Sequence, residues 1–244
     1  MIRLSEGERA ALVVWPEAAV PTVLSEHPEL LAELRALAER TQADFVIGSL
    51  ARRRDGRLLN GAYLIDRQVA FAGKRHLVPF GEYLPFWAQG WMRKLVPTIG
   101  DFAPDAHAQP LPWRVPIGVL VCYESLFPEE ARDRVRQGAA VLAVLTNDAW
   151  YGRSPAAWQH AEAARLRAME TGRYLMHATN TGVSALIAPD GEILRALPEW
   201  RAAALEGTIV PRRGATPYLR WGDAPALVLA GLAALAAWRR RRHG

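Results

Sequence analysis

The fold is decided by two stretches, IGVLVCYES at residues 117–125 and AAVLAVLT at residues 139–146. Both contain a near-continuous run of apolar residues, which is typical of a strand that is covered on both of its faces. A segment with helical character, residues 129–137, lies between them. Strands of this kind alternating with helices indicate a layered α/β fold in which both faces of each sheet are covered.

The same alternation extends through the rest of the chain. Apolar runs at residues 11–14 and 44–50 predict two more strands, and residues 28–40 between them have leucines at helical spacing. Residues 74–112 form a Pro/Gly/aromatic segment that is too long for a simple connection, so we expect functional loops there with a short helix near 87–96. Further strands are predicted at 62–65, 69–72, 175–179, 183–188 and 192–196, and a further helix at 155–171.

Composition sets limits on the class of protein. Of 244 residues, 50% are hydrophobic and 23% are charged, which excludes a disordered chain. The net charge is +5, but Arg239, Arg240, Arg241 and Arg242 supply four positive charges, so the remainder is nearly neutral and no nucleic-acid surface is indicated. The single cysteine allows neither an intrachain disulfide nor a cysteine-based zinc site.

The C-terminal part has the pattern of a membrane segment. Residues 219–238 are mostly apolar and precede the basic residues 239–244. On a helix, Trp221 and Trp238 would lie about 26 Å apart, close to the separation of two interfacial aromatic belts. We therefore expect a transmembrane helix at 219–238, a domain at 1–218 on the opposite side of the membrane, and a cytoplasmic tail. The alternative is a buried C-terminal helix followed by a solvated run of charges.

Three side chains are candidates for chemistry. Cys122 ends a buried strand, where reactive groups emerge in α/β folds, although a lone cysteine is usually an inert small hydrophobe. Glu17, in VVWPEAAVP, follows a predicted strand among apolar neighbours and would suit a general base; a solvated loop glutamate is the alternative. Lys74 is one of only two lysines and offers a compact ammonium to an oxyanion, unless it is simply a surface lysine.

Other polar residues receive weaker interpretations. Glu82, in PFGEYLPF, is a second carboxylate that would order the site, relay a proton or bind loop backbone. His76, His160 and His177 are not at metal-ligand spacing, so we interpret them as structural and expect no metal. The chain has no glycine-rich phosphate loop and no GxSxG elbow, and we expect no cofactor.

The motifs WPEAAVP, GKRHLVPFGEYLPF, VCYES and TNDAWYG occur in an order that resembles the nitrilase (carbon–nitrogen hydrolase) superfamily. With WQHAEAARLRAMETGRYLMHATNTGVSALIAPDGEI and TPYLRWGD, the chain more narrowly resembles the C-terminal catalytic part of the apolipoprotein N-acyltransferase family. The resemblance covers essentially the whole chain. It implies a nitrilase-like αββα sandwich on the periplasmic side of a bacterial inner membrane.

The resemblance also implies roles for individual residues. Glu17 matches the general base, Lys74 the catalytic lysine and Cys122 the nucleophile. Cys122 would take a fatty acyl chain from a phospholipid as a thioester and pass it to the N-terminal amino group of a lipoprotein's diacylglyceryl-cysteine. The implied partners are the phospholipid donor, the lipoprotein acceptor and the membrane. Further functional positions of the family are matched by Glu82, Tyr123 and Glu124.

The N-terminal part of the family's layout, which this sequence does not match, keeps other functions open. The family has a bundle of membrane helices, and then a first strand and helix, before the WPE strand. We therefore expect an N-terminally truncated sandwich with an open sheet edge, or a partner chain or missing membrane segment that completes it. The alternatives are an amidase that hydrolyses a small C–N bond with the same three residues, and an inactive partner of a separate membrane subunit. Apolar loop residues favour a lipid over a small amide, namely Phe80, Tyr83, Leu84, Phe86, Trp87 and Trp91.

Overall fold

The computed structural model describes residues 1–6, 10–87 and 102–243. Within these ranges the chain forms two mixed β-sheets, each built from parallel and antiparallel pairs. In the first sheet β1 is parallel to β2, and the other two pairs are antiparallel. Its strands, in spatial order, are β1 (Leu12–Val23), β2 (Asp44–Arg52), β3 (Leu58–Ile65) and β4 (Val69–Gly73).

The second sheet contains the two apolar stretches that decide the fold. Its first three strands are parallel and its last two pairs are antiparallel. Every residue of the first three strands is buried, as expected for strands covered on both faces. The strands, in spatial order, are β5 (Ile117–Val121), β6 (Val141–Thr146), β7 (Leu175–Thr179), β8 (Ala185–Ile187) and β9 (Ile193–Ala196).

The described helices begin and end where local sequence favours it. Pro28 and Pro128 each stand in the first turn of a helix, where a missing N–H costs nothing, and Gly172 ends a helix with a φ of 64°. The α-helices are α1 (Ile2–Ser5), α2 (Pro28–Thr41), α3 (Pro128–Arg136), α4 (Ala156–Thr171), α5 (Pro217–Trp221) and α6 (Ala224–His243). The 3₁₀ helices are Leu24–Glu26, Cys122–Leu126 and Asp148–Tyr151.

Three apolar clusters arrange these elements in four layers. Leu34 and Leu37 of α2 pack on Phe45 of the first sheet. Between the sheets, Val46 and Leu64 belong to one core with residues of β5 and β6. On the far side, alanines of α3 and α4 pack against the second sheet. The predicted nitrilase-like αββα sandwich is thereby confirmed.

The first strand differs from its prediction. The sequence predicted a strand at 11–14 followed by a turn, but β1 continues to Val23. Its pairing with β2 shifts register between Trp15 and Val20, and Ala18 has a positive φ of 52°. A bulge lets a strand absorb prolines and re-aim a side chain without ending its pairing. Glu17 lies inside this irregular segment.

The C-terminal segment also differs. The prediction of one continuous helix over 219–238 is wrong, because α5 ends at Trp221 and Gly222 adopts a φ of 56° before α6 begins. Helix α6 then includes the arginines of the expected tail. Within the ranges that the structure describes, no helix has both the length and the apolarity needed to cross a membrane. The short helix expected near 87–96, with Trp91, falls outside the described residues.

Candidate active site

The candidate nucleophile occupies a strained backbone position at the end of a buried strand. Strand β5 ends at Val121, and Cys122 opens a 3₁₀ turn with a φ of 52°. A non-glycine residue in this left-handed region costs about 1–3 kcal/mol, so surrounding contacts must hold it there. The cysteine is 9% exposed. Its sulfur is near two polar groups at the end of β6, the Thr146 hydroxyl and the Asn147 N–H.

Glu17 reaches the same point from the other sheet. The bulge in β1 directs its carboxylate inward, where Oε2 accepts a hydrogen bond from the Asn147 N–H at 2.9 Å. Its other oxygen, Oε1, accepts one from the Asn60 side chain at 2.7 Å. Because Asn147 is also a neighbour of the Cys122 sulfur, the carboxylate and the thiol meet at one backbone amide.

Lys74 lies directly after β4 and is almost completely buried. Its Nζ is 2.9 Å from Oε1 of Glu82 and 3.9 Å from Oε1 of Glu17. Burial alone would lower the pKa of the ammonium, but the charges of Glu17 and Glu82 outweigh burial and raise the pKa above its ordinary value. The lysine is therefore charged at neutral pH, between two carboxylates.

The Cys122 thiol, in contrast to the Lys74 ammonium, favours its neutral form. Burial, together with the Glu17 charge, raises the pKa of Cys122 to about 12, and the Lys74 charge offsets only part of this rise. The resting sulfur is therefore protonated. A thiolate forms here only if a neighbouring group accepts the proton, and Glu17 is the carboxylate whose charge acts on the sulfur.

Asn60 joins the two carboxylates and was not found from the sequence. Its side-chain Nδ2 donates to Glu17 at 2.7 Å and to Glu82 at 2.9 Å, and its backbone carbonyl accepts from the Lys74 backbone N–H at 2.7 Å. The residue belongs to β3, in LLNGAYLI, and is 7% exposed. A lone amide inside an otherwise apolar strand was the available signal, because buried polar groups need partners.

Glu82 and Glu124 order the backbone around this pocket. Glu82 Oε2 accepts the Val78 N–H at 2.7 Å, which fixes the loop after Lys74. Glu124 is fully buried; its Oε2 accepts the Val121 N–H and its Oε1 accepts the Arg75 N–H, each at 2.7 Å. Burial raises the pKa of Glu124. Glu124 thus connects the nucleophile turn to the segment that carries the lysine.

Tyr123 packs in an aromatic group. Its ring is half-buried and contacts the edge of Phe127, with ring centroids 4.9 Å apart, and Phe127 stacks on His76 at 4.1 Å. The three aromatic rings form one wall beside the nucleophile turn. The structure gives Tyr123 a packing contact here.

Exposed aromatic residues lie close in sequence to the site residues. Phe80, Phe86 and Trp87 are exposed on the loop that carries Glu82, and Trp150 is 86% exposed in the 3₁₀ turn Asp148–Tyr151. Burial raises the pKa of Tyr151, the next residue in the chain. The nearby charges of Cys122 and Glu17 raise it further. Of the other predicted loop residues, Leu84 is buried in the fold, Tyr83 is half-buried, and Trp91 falls outside the described ranges.

The predicted structural histidines have distinct surroundings. His76 contacts Glu130 at 2.9 Å, and His160 contacts Asp148 at 2.9 Å. Burial lowers the pKa of His177 to about 3, so this ring is neutral. Over the described part of the chain, no three His, Cys, Asp or Glu side chains are grouped as metal ligands.

The two-sheet sandwich, with a glutamate, a lysine and a cysteine brought together in one buried pocket, defines the class of protein. Residues 1–218 match the family model described as carbon-nitrogen hydrolase, and the chain belongs to that family. A carbon-nitrogen hydrolase from Helicobacter pylori has the same fold, with a TM-score of 0.62 and 17% sequence identity over 82% of this chain and 78% of that chain.

Within the family, the chain is similar to two apolipoprotein N-acyltransferases. It is 37% identical to the apolipoprotein N-acyltransferase of Vibrio cholerae over 97% of this chain and 50% of that protein. It is 39% identical to that of Geobacter metallireducens over 98% of this chain and 49% of that protein. The chain thus spans about half the length of these relatives.

Proposed function

We propose that this chain is the catalytic domain of an apolipoprotein N-acyltransferase, and that Glu17, Lys74 and Cys122 carry its chemistry. The observation that carries the proposal is the meeting of the three side chains in one pocket, in a chain similar to two proteins of that name. The supporting groups are Glu82, Tyr123 and Glu124, together with Asn60.

The first half-reaction loads the cysteine. Glu17 takes the proton of Cys122, and the thiolate attacks the ester carbonyl of a phospholipid. The Lys74 ammonium and the backbone N–H that follows the nucleophile stabilise the tetrahedral oxyanion. When the intermediate collapses, the C–O bond breaks, Glu17 returns the proton to the departing alkoxide, and a lysophospholipid leaves. An acyl thioester on Cys122 remains.

The second half-reaction transfers the acyl chain to nitrogen. The free amino group of a lipoprotein's diacylglyceryl-cysteine attacks the thioester carbonyl, and Glu17 accepts a proton from the attacking amine. The C–S bond breaks, the amide forms, and the proton returns to the sulfur. Lys74 would keep its charge through both steps, because the pKa of its ammonium is raised rather than lowered.

The exposed apolar residues fit substrates that are themselves held in a membrane. Phe86 is 87% exposed and Trp150 is 86% exposed. Helix α6 exposes apolar side chains along its length, among them Leu227, Leu229 and Leu232. Apolar surface of this extent is stable in contact with lipid and unfavourable in water. We propose that this surface contacts the bacterial inner membrane, with the catalytic domain on its periplasmic side.

Mass spectrometry of the intact protein tests the proposal. The chain is incubated with phospholipid vesicles, and we expect one acyl adduct, mapped to Cys122, with release of lysophospholipid. Adding a diacylglyceryl-cysteine peptide should remove the adduct and yield the N-acyl peptide. The Cys122→Ala variant should form no adduct while retaining its fold by circular dichroism.

Other outcomes would replace the proposal. Hydrolysis of a short amide without transfer to the peptide would favour the amidase. A folded protein whose Cys122 accepts neither an acyl chain nor an alkylating reagent would favour the inactive partner. Normal acyl transfer by Cys122→Ala would contradict the assignment of the nucleophile.

A further inference from the structure

A second buried polar group adjoins the nucleophile turn. It consists of Thr146 at the end of β6, Asp148 in the following 3₁₀ turn and His160 in α4. All three are at most 4% exposed. His160 Nε2 is 3.0 Å from the carbonyl oxygen of Cys122, and its Nδ1 is 2.9 Å from Asp148 Oδ1.

The partners of His160 determine where its protons lie. A carbonyl oxygen only accepts hydrogen bonds, so Nε2 must carry a proton and donate it to the Cys122 carbonyl. Nδ1 faces Asp148 Oδ1 at 2.9 Å and the Thr146 hydroxyl at 3.3 Å. These contacts on Nδ1 leave Nε2 held as the donor towards Cys122.

Asp148 is itself fixed in place. Its backbone N–H donates to Asn180 Oδ1 at 3.0 Å, and the Thr146 hydroxyl donates to its Oδ1 at 3.2 Å. Gly182 lies so close that a Cβ there would be 1.9 Å from Asp148 Oδ2. The carboxylate therefore has little freedom to move, and it sets the orientation of the imidazole ring.

We propose that His160, oriented by Asp148, is a positioning residue that holds the carbonyl of Cys122 and thereby keeps the nucleophile in its left-handed conformation. A φ of 52° is unfavourable for cysteine, and this hydrogen bond is a contact that opposes its relaxation. Without the bond, the backbone would relax towards the extended geometry of β5, and the sulfur would move from Thr146 and Asn147. The inference rests on the proposed function in taking Cys122 as the nucleophile.

Two substitutions separate the hydrogen bond from the packing of the ring. The amide nitrogen of glutamine can occupy the place of Nε2, whereas that of asparagine reaches only as far as Nδ1. We expect His160→Asn to slow alkylation of Cys122 by iodoacetamide about tenfold or more, as for loss of a buried hydrogen bond. We expect His160→Gln to stay within about threefold of the unsubstituted protein. Adduct formation is followed by mass spectrometry, and the single cysteine makes the site unambiguous.

His177→Asn is the matched control for a buried histidine. Its ring lies 5.6 Å from that of His160, and it is equally enclosed, but no hydrogen bond to residues 121–125 is found for it in the described ranges. We expect this variant to lower the melting temperature without slowing alkylation. Equal rates for His160→Asn and His160→Gln, whether normal or equally slow, would overturn the inference, because a packing role affects both.

The alkylation assay also separates this inference from the proposed function. If the unsubstituted chain transfers no acyl group but shows the difference between Asn and Gln at position 160, the positioning role stands and the function fails. If acyl transfer occurs and the two variants alkylate equally, the function stands and the positioning role is wrong.

Discussion

Two glutamates flank the nucleophile, and their surroundings differ in one instructive respect. Glu17 accepts one backbone N–H and one side-chain amide, and its side chain stays 10% exposed. Glu124 accepts the backbone N–H groups of Val121, Arg75 and His76 and is fully buried. A carboxylate bound by several backbone donors cannot change its protonation state without disturbing the chain. The same residue type therefore serves proton transfer at one position and backbone order at the other.

The cations beside these glutamates differ in the same way. Lys74 presents a compact ammonium to Glu82 and Glu17. Arg134 lies 3.8 Å from Glu124 but gives two of its donors to backbone carbonyls, those of Val119 and Ala108. A planar guanidinium with fixed donors suits a structural network, whereas an ammonium can face an oxyanion that exists only briefly.

The largest expected effect is that of Glu17→Gln on acyl transfer. The substitution keeps the size of the side chain but removes the proton acceptor, so we expect the rate to fall by about 10²- to 10⁴-fold. Transfer of radiolabelled acyl chains from phospholipid to a diacylglyceryl peptide measures the rate. A melting temperature close to that of the unsubstituted protein is the control, and a rate within threefold would remove Glu17 from proton transfer.

Lys74→Met removes the ammonium that lies beside Glu17 and Glu82. Two buried carboxylates would then lack their counter-charge, and we expect the free energy of unfolding to fall by about 3–5 kcal/mol. Urea denaturation followed by circular dichroism measures the change. Adding Glu82→Gln should restore part of the loss, because one unbalanced charge is then removed. Unchanged stability in the single variant would show that Lys74 does not balance these charges.

Glu124→Gln makes the same chemical change on the structural side. The amide group cannot accept hydrogen bonds at both ends, so at least one backbone donor loses its partner, at a cost of about 1–3 kcal/mol. We expect the acyl-transfer rate of the folded variant to fall less than tenfold. A loss of rate as large as that of Glu17→Gln, with stability unchanged, would erase the distinction between the two glutamates.

The smallest expected effect is on pH dependence. The folded thiol has a pKa of about 12, above its ordinary value of 9.0, so the neutral thiol stabilises the fold below about pH 9, and this contribution is lost as the pH rises towards 12. The unfolding free energy should therefore decline in this window more steeply than in Cys122→Ser. In Glu17→Gln the decline should be smaller, because removal of the carboxylate charge lowers the pKa of Cys122. Denaturation at pH 9, 10 and 11 measures the slopes.

Local sequence predicted the framework but failed where long-range contacts set the geometry. Strands β5 and β6 were predicted because their apolar runs permit little else. The continuation of β1 past Trp15 was missed, because only its pairing with β2 keeps the proline-containing segment extended. Leu84 was named among the apolar loop residues that favour a lipid, but the folded loop buries its side chain. The break at Gly222 was missed because a single glycine was its signal in the sequence.

The sequence by itself determined the layered α/β class and the candidates Glu17, Lys74 and Cys122, because apolar periodicity and ordered motifs are properties of the linear chain. Only the tertiary structure decided that the three side chains meet at one end of the sheets, that Asn60 joins two carboxylates, and that His160 binds the Cys122 carbonyl. The physical reason is that hydrogen bonds and charge pairs act over a few ångströms. They join residues that are dozens of positions apart in sequence, and such pairings become visible only when the sheets are packed.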